Sequence, residues 1–374
     1  MTLWLLVATA FGHGGPPRTD ALLWDSDDSM IVSSSHGLIF EDEGYSWVCD
    51  EALGSAVPSE VVQSGDVLLM RSSQGVAHST DGCQWTWSEG HDGQLIWDIA
   101  TDIEDPQTVW SITEDGLWQS TDSGQRFTFF GAPDSGASIR SFVQMPDMRW
   151  TVLGFVGAQP TAWTGQMDDW QVAVLPTTGG HLITLGTDDA GHAYARLPLA
   201  SGADKLVRIS PDGQVTTLLE TTRGIQAFLS VDDVLLISVR GEGLQLSTDL
   251  GQTWTSRGSE PTRCLTIHDD QLYGCPDDER RRMWSVTSMD LLSETTDWTA
   301  GPGFDEVSGP RCDDLLTCEM VWEQVQRELG LVLATDTADT GQASDGPAGV
   351  RCGCSHGAAV VVLPWWLLWA RRRA

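Results

Sequence analysis

Lysine is almost missing from this chain. Lys205 is the only one in 374 residues, and 21 basic side chains stand against 53 acidic ones, a formal net charge of −32. With no basic stripe to release counterions from a phosphate backbone, nucleic acid is excluded as a partner, and an anionic membrane surface is repelled in the same way. Tyrosine is scarce too, limited to Tyr45, Tyr194 and Tyr273. The sequence has no G-x-S-x-G elbow, H-E-x-x-H helix, P-loop or dinucleotide fingerprint. That removes the common hydrolase, metalloprotease and nucleotide chemistries and leaves no cofactor to expect. The histidines, His78, His91 and His181 among them, lack ligand spacing, and C-x-x-C pairs are absent, so no metal is expected.

What is abundant is Gly (39 residues) and Trp (18), a pairing that suits short strands joined by tight turns. An apolar fraction of 41% is ample for a core and argues against disorder. The acidic surface suits solubility outside the cell, a high-salt medium, cationic partners or Ca²⁺.

An internal repeat organises the middle of the chain. Ser247-Thr248-Asp249-Leu250-Gly251-Gln252-Thr253-Trp254 has the form S-x-D-x-G-x-T-W. Ser120, Asp122, Gly124 and Phe127 repeat it, while Ser79, Asp81, Gly82 and Trp85 form a version one residue shorter. Glu43, Gly44 and Trp47 align with that short form. Each box is led in by a Gly-apolar pair, Gly37-Leu38, Gly75-Val76, Gly116-Leu117 or Gly243-Leu244, six residues before its acid. The residue types suit a self-supporting turn. Ser and Asp bond nearby backbone groups, Gly supplies positive φ, and the aromatic folds beneath as a plug. Such a turn is structural, not catalytic, and its loss is expected to cost about 1–2 kcal/mol locally.

Glu43, Asp81 and Asp122 lie about forty residues apart, the period of a four-stranded propeller blade. Degenerate boxes fit the longer gap to Asp249, at Gly165–Trp170 and Ser210–Gly213, and a last one fits Ser288-Met289-Asp290 with Trp298 beyond it. Between boxes run short β-rich segments such as Val67–Met70 and Val234–Val239, and helical periodicity is confined to the C-terminal tail and Met320–Leu329. The expected fold is all-β: a single β-propeller over residues 20–330, of seven four-stranded blades, with a short C-terminal apolar helix. The degenerate boxes leave six or eight blades open. These boxes resemble those of the sialidase/BNR-repeat superfamily, which includes sialidases, sortilin-type receptors and xyloglucanases. The resemblance implies the fold and leaves the activity unspecified.

Both ends carry targeting features. Residues 1–10 are apolar and finish in Ala8-x-Ala10, as a signal peptide does, although no basic residue precedes them; a buried first strand is the alternative. At the other end, a Thr/Asp/Gly-rich linker (331–351) leads to a tail (352–374) with Cys352, Cys354, the apolar run Ala358–Ala370 and Arg371–Arg373. Thirteen helical residues reach roughly 20 Å, short of the ~30 Å hydrocarbon core. This order is similar to the Myxo-type C-terminal sorting domain. The resemblance implies transient anchoring in the inner membrane by residues 358–370, cleavage by a sorting protease near the cysteines, and display at the cell surface or outer membrane or secretion. The membrane is touched only through the tail, and a plain anchor is the alternative. Together with His13-Gly14-Gly15-Pro16-Pro17 and the first box, the tail resembles that of myxobacterial surface propellers. Asp336, Asp339 and Asp345 read as a tether, not a Ca²⁺ loop.

Six cysteines remain in the body, and in an exported chain they read as disulfides with fifteen possible pairings. Proximity favours Cys49–Cys83, Cys264–Cys275 and Cys312–Cys318. An enzyme of the sialidase type would need three arginines converging on a carboxylate, an acid/base Asp and a Tyr–Glu pair. Arg140, Arg196 and Arg240 are spread widely enough to fall on different blades, but nothing in their context singles them out. The reading favoured by the sequence is a non-catalytic, exported propeller that binds a protein or glycan. A sialidase-like or other glycoside hydrolase and a structural envelope protein are the alternatives. Trp163 and Trp284 could stack on sugars or pack between blades.

Overall fold

The structure is a computed structural model. It describes residues 19–329 except for positions 26, 51, 54–59, 73, 92, 167–168, 178–179, 260–261, 277–284, 291–297, 304–305 and 313–315. Residues 1–10, Trp284, the linker, Cys352, Cys354 and the apolar run 358–370 lie outside the described residues. No helix among the described residues is long and apolar enough to cross a membrane.

Among the described residues there are seven sheets, each a four-stranded antiparallel meander in chain order. Their first strands are Thr19–Trp24, Glu60–Ser64, Asp98–Thr101, Ala137–Gln144, Ile183–Thr187, Ile225–Val231 and Thr262–His268. Each first strand neighbours the next, and the seventh returns to the first, so the sheets close into a ring: a β-propeller. Packing explains why the inner sequence reads as apolar runs and not as alternation. Val234–Val239, second strand of sheet six, is covered on both faces by neighbouring sheets. Asp169–Val174, the outer strand of sheet four, is largely open.

Each gap between consecutive sheets holds one apolar cluster. Trp110, Ile112 and Leu117 of sheet three meet Trp150, Val152 and Trp163 of sheet four. Tyr194 and Leu206 of sheet five meet Ile225, Leu235 and Ile237 of sheet six. Trp163 is 1% exposed, so its role is packing between sheets and not sugar stacking. The core is therefore a set of thin layers, in which each sheet contributes both faces.

The ring is clasped from outside. A strand Val307–Pro310 lies parallel to the outer strand of sheet one, Tyr45–Cys49, as a fifth strand. It follows the outer strand of sheet seven, Thr299–Gly303, so it carries the chain from the last sheet back to the first. The helix Leu316–Leu329 then packs on sheet one, with Trp322 against Trp47 at 5.5 Å between ring centroids. Two disulfides fasten this strap, Cys49–Cys318 and Cys83–Cys312; the third, Cys264–Cys275, staples the inner hairpin of sheet seven. Proximity in sequence therefore fails for two of the three pairings. Cys49–Cys83 and Cys312–Cys318 do not form, because the strap brings residues more than two hundred positions away beside each early cysteine. Three disulfides point to an oxidising compartment.

Candidate functional site

A four-stranded antiparallel meander sends alternate turns to opposite ends of the ring. The turns between third and fourth strands share one end with the turns between first and second strands. The first strands begin at the other end. The boxes of sheets one to six fall at third-to-fourth turns, and Ser288–Asp290 closes the third strand of sheet seven. In the sheet-six turn the side chains bond within the turn itself. Ser247 Oγ donates to Asp249 Oδ1 (2.8 Å) and accepts from Gly251 N, while Thr253 N and Oγ1 donate to the Asp249 carboxylate. These Thr253 bonds and the Ser247 hydroxyl hold the Asp249 pKa down to about 2. Ser79/Asp81 and Ser120/Asp122 repeat the pattern, and Ser210 bonds Asp212.

Two features differ from expectation. In sheet one the acid that accepts the serine hydroxyl is Asp42, from Ser46 (2.7 Å), whereas Glu43 is exposed. The boxes are also not independent of their neighbours. A Cβ on Gly124, at φ 81°, would overlap Leu69 of sheet two, and the plug Phe127 packs in that same gap. The box turn is thus a sheet-to-sheet contact as well as a local staple.

The concave site lies on the axis. A channel of about 760 Å³ is lined by residues from all seven first strands, at the end where those strands begin. Five first strands carry a β-bulge at the same level, which aims an extra side chain inward: Asp20, Arg140, Leu185, Gln226 and Arg263. The two without a bulge, in sheets two and three, present Glu60 and Asp98. These carboxyls lie close enough across the gap between the two sheets for each to feel the other's charge. Arg71 Nε donates to Glu60 Oε2 (2.9 Å), and Asp98 Oδ2 accepts from Ser141 Oγ (2.8 Å) and Phe142 N (3.1 Å). Ser141 Oγ in turn accepts from Thr184 N (2.9 Å). A polar belt therefore runs across sheets two, three, four and five. Burial, and then the Asp98 charge, push the Glu60 pKa up to about 8; burial also raises Asp98. Each carboxyl disfavours the other's ionisation, and Arg71 beside Glu60 opposes that effect.

Around the same mouth Arg140 lies over Trp97, 4.4 Å from the ring, and reaches Glu114 at 3.1 Å. Arg263 faces Asp20 at 3.9 Å, and His181 stands 6.4 Å from Trp97 between centroids. Of the three arginines raised from the sequence, only Arg140 lines the channel. Arg196 is bound to Asp204 (2.6 Å) within sheet five, and Arg240 lies just beyond the second strand of sheet six. No tyrosine lines the channel either. Tyr194 is buried, its hydroxyl held by Asp188 (2.8 Å), and burial raises its pKa; burial and Glu41 push Tyr45 up to about 12. The lining residues Asp20, Glu60, Arg71, Trp97, Asp98, Gln226 and Arg263 were not signalled by any motif. Apart from Arg71 and Trp97, their one sequence trace is a position on a first strand, repeating with the same period as the boxes.

Among the described residues one grouping could hold a cation, Asp28, His268 and Asp269, at the end opposite the mouth. His268 is stacked on Trp24 at 4.3 Å and bonded to Asp28 at 2.8 Å, which accounts for its position without an ion.

No family model and no curated protein matches the chain. Several solved structures share the fold. A catalytically inactive virginiamycin B lyase from Staphylococcus aureus, with quinupristin, has a TM-score of 0.52 at 9% identity, covering 71% of this chain and 93% of its own. YCF48 from Cyanidioschyzon merolae has a TM-score of 0.51 at 12% identity, covering 70% and 94%. A YCF48 structure with bound D1 peptide has a TM-score of 0.50 at 17% identity, covering 75% and 95%. At these identities the likeness defines a fold class, the β-propeller, which houses a lyase as well as a peptide-binding protein.

Proposed function

We propose that the chain is a non-catalytic, exported propeller of seven blades, one per sheet, which binds a protein or glycan at the channel mouth. The observation that carries this reading is the lining. Every sheet contributes, the charged groups are already paired, and the side chains offer hydrogen-bond donors and acceptors beside the rings of Trp97 and Phe228, as a recognition site requires. YCF48, bound to a D1 peptide, is a precedent for a peptide on this fold. The boxes support membership of the BNR-like group as structural staples. The apolar N-terminus and the Cys-bearing tail support a signal peptide, cleavage by a sorting protease and display at the cell surface.

The test is a screen of immobilised glycans and peptides with the full chain. A ligand found there is expected to lose about tenfold or more in affinity with Arg140→Ala or Arg263→Ala, and nothing with Arg126→Ala at the far end. Equal binding by all three variants would move the site elsewhere.

A further inference from the structure

The outer rim between sheets three and four, separate from the channel, carries exposed apolar side chains. Nine large apolar side chains are exposed among the described residues, and Phe130, Val156, Val172 and Val174 of these two sheets are four of them. The strand register assigns Val172 and Val174 to a single face. Val172 lies beside Trp163 and Val152, and Val174 beside Thr161 and Gly154. Trp163 and Val152 belong to the cluster between sheets three and four, so this face is turned to sheet three. From the other side Phe130 packs edge-on against Trp110 at 4.9 Å, in the same gap. The result is a groove floored by buried Trp110, Trp150 and Trp163 and walled by Phe130, Val172 and Val174, which are 46%, 64% and 60% exposed.

One wall of this groove is an open strand edge. Asp169–Val174 pairs only with Gln159–Gln166. Neither it nor Thr128–Gly131, the outer strand of sheet three, carries a lysine or proline of the kind that blunts an edge. The molecule itself shows how such a place is filled. On sheet one an extended segment, Val307–Pro310, adds to the outer strand. Beyond it Arg311 covers Phe40 at 4.3 Å, and Cys312 enters the cluster between sheets one and two. The rim between sheets three and four has the same open edge and apolar gap, and no segment of the described chain on it.

We propose that this rim docks an extended segment of a partner protein. The segment adds to Asp169–Val174 as a fifth strand, with alternate aromatic or β-branched side chains over Val172, Val174 and Phe130, and with basic residues flanking it. A strand presents side chains to one face at every second residue, which matches the spacing of Val172 and Val174. The charge of −32 favours basic flanks and opposes a second copy of this chain, which would bring the same charge to the interface.

The probe is a lysine-flanked peptide in which Phe and Val alternate with Thr, titrated against the full chain by fluorescence anisotropy. A control peptide has the same composition with the alternation broken. The alternating peptide is expected to bind saturably, more weakly as salt rises, and to lose about tenfold or more with Val172→Asp or Val174→Asp. Trp87→Ser, on the outer strand of sheet two, should leave binding unchanged. Phe130→Ala gives a second reading from the facing sheet and should weaken it. Equal binding of both peptides, or insensitivity to all three groove substitutions, would overturn the proposal. So would sedimentation of the chain as a dimer that Val174→Asp dissociates, since the groove would then be a self-interface. None of these outcomes depends on the channel reading.

Discussion

Glu60 and Asp98 occupy the two first strands that lack a bulge, and both line the channel. Bulges elsewhere swing single side chains into the channel, whereas here two carboxyls feel each other's charge. Because burial raises the Glu60 pKa to about 8, from an unfolded value near 4.3, the folded chain binds more protons than the unfolded chain between those limits. Stability from this group is therefore complete below about pH 4 and declines as pH rises towards 8. Glu60→Gln should flatten that slope, measured as the difference between urea midpoints at pH 5 and pH 8. An unchanged difference would mean that Glu60 titrates normally. Nothing in the sequence around Glu60 or Asp98 announces this pair, since neither stands in a motif and they come close only across the gap between two sheets. The box residues were legible for the opposite reason: Ser247, Asp249, Gly251 and Thr253 bond within a single turn, so their chemistry is local and leaves a pattern.

At the scale of elements, the strap is what closes the ring covalently. A propeller whose first sheet is built wholly from the N-terminal segment has no shared strand to lock its ends, and here Val307–Pro310 and Leu316–Leu329 take that role. The disulfides Cys49–Cys318 and Cys83–Cys312 span 269 and 229 residues, against 11 for Cys264–Cys275. A long closed loop restricts the unfolded chain more than a short one, typically by about 2–4 kcal/mol per bridge. Cys83→Ser with Cys312→Ser should thus lower Tm further than Cys264→Ser with Cys275→Ser, by scanning calorimetry. An equal or smaller fall would show that the ring holds without its clasp. The strands and the repeat were readable because their period is set by one sheet. The pairing of Cys49 and Cys83 was not, because it depends on where a segment beyond the last sheet returns.

On the whole molecule the two ends differ in character. Every turn between first and second strands carries an acid, from Asp28, Asp66 and Asp105 through Asp147, Asp188 and Asp232 to Asp269. The opposite end holds the channel mouth, where Arg71, Arg140 and Arg263 offset Glu60, Glu114 and Asp20. The strongly negative surface can thus present one locally balanced opening, which suits recognition of a ligand without long-range attraction for anions. The central claim is that this opening binds and does not transform its ligand. The direct measurement is turnover by the full chain on a panel of fluorogenic glycosides, a sialoside among them, compared with Glu60→Gln. The account predicts no release of fluorophore above buffer for either protein. Release by the unmodified chain that disappears in Glu60→Gln would contradict it and make the carboxyl pair a catalytic centre.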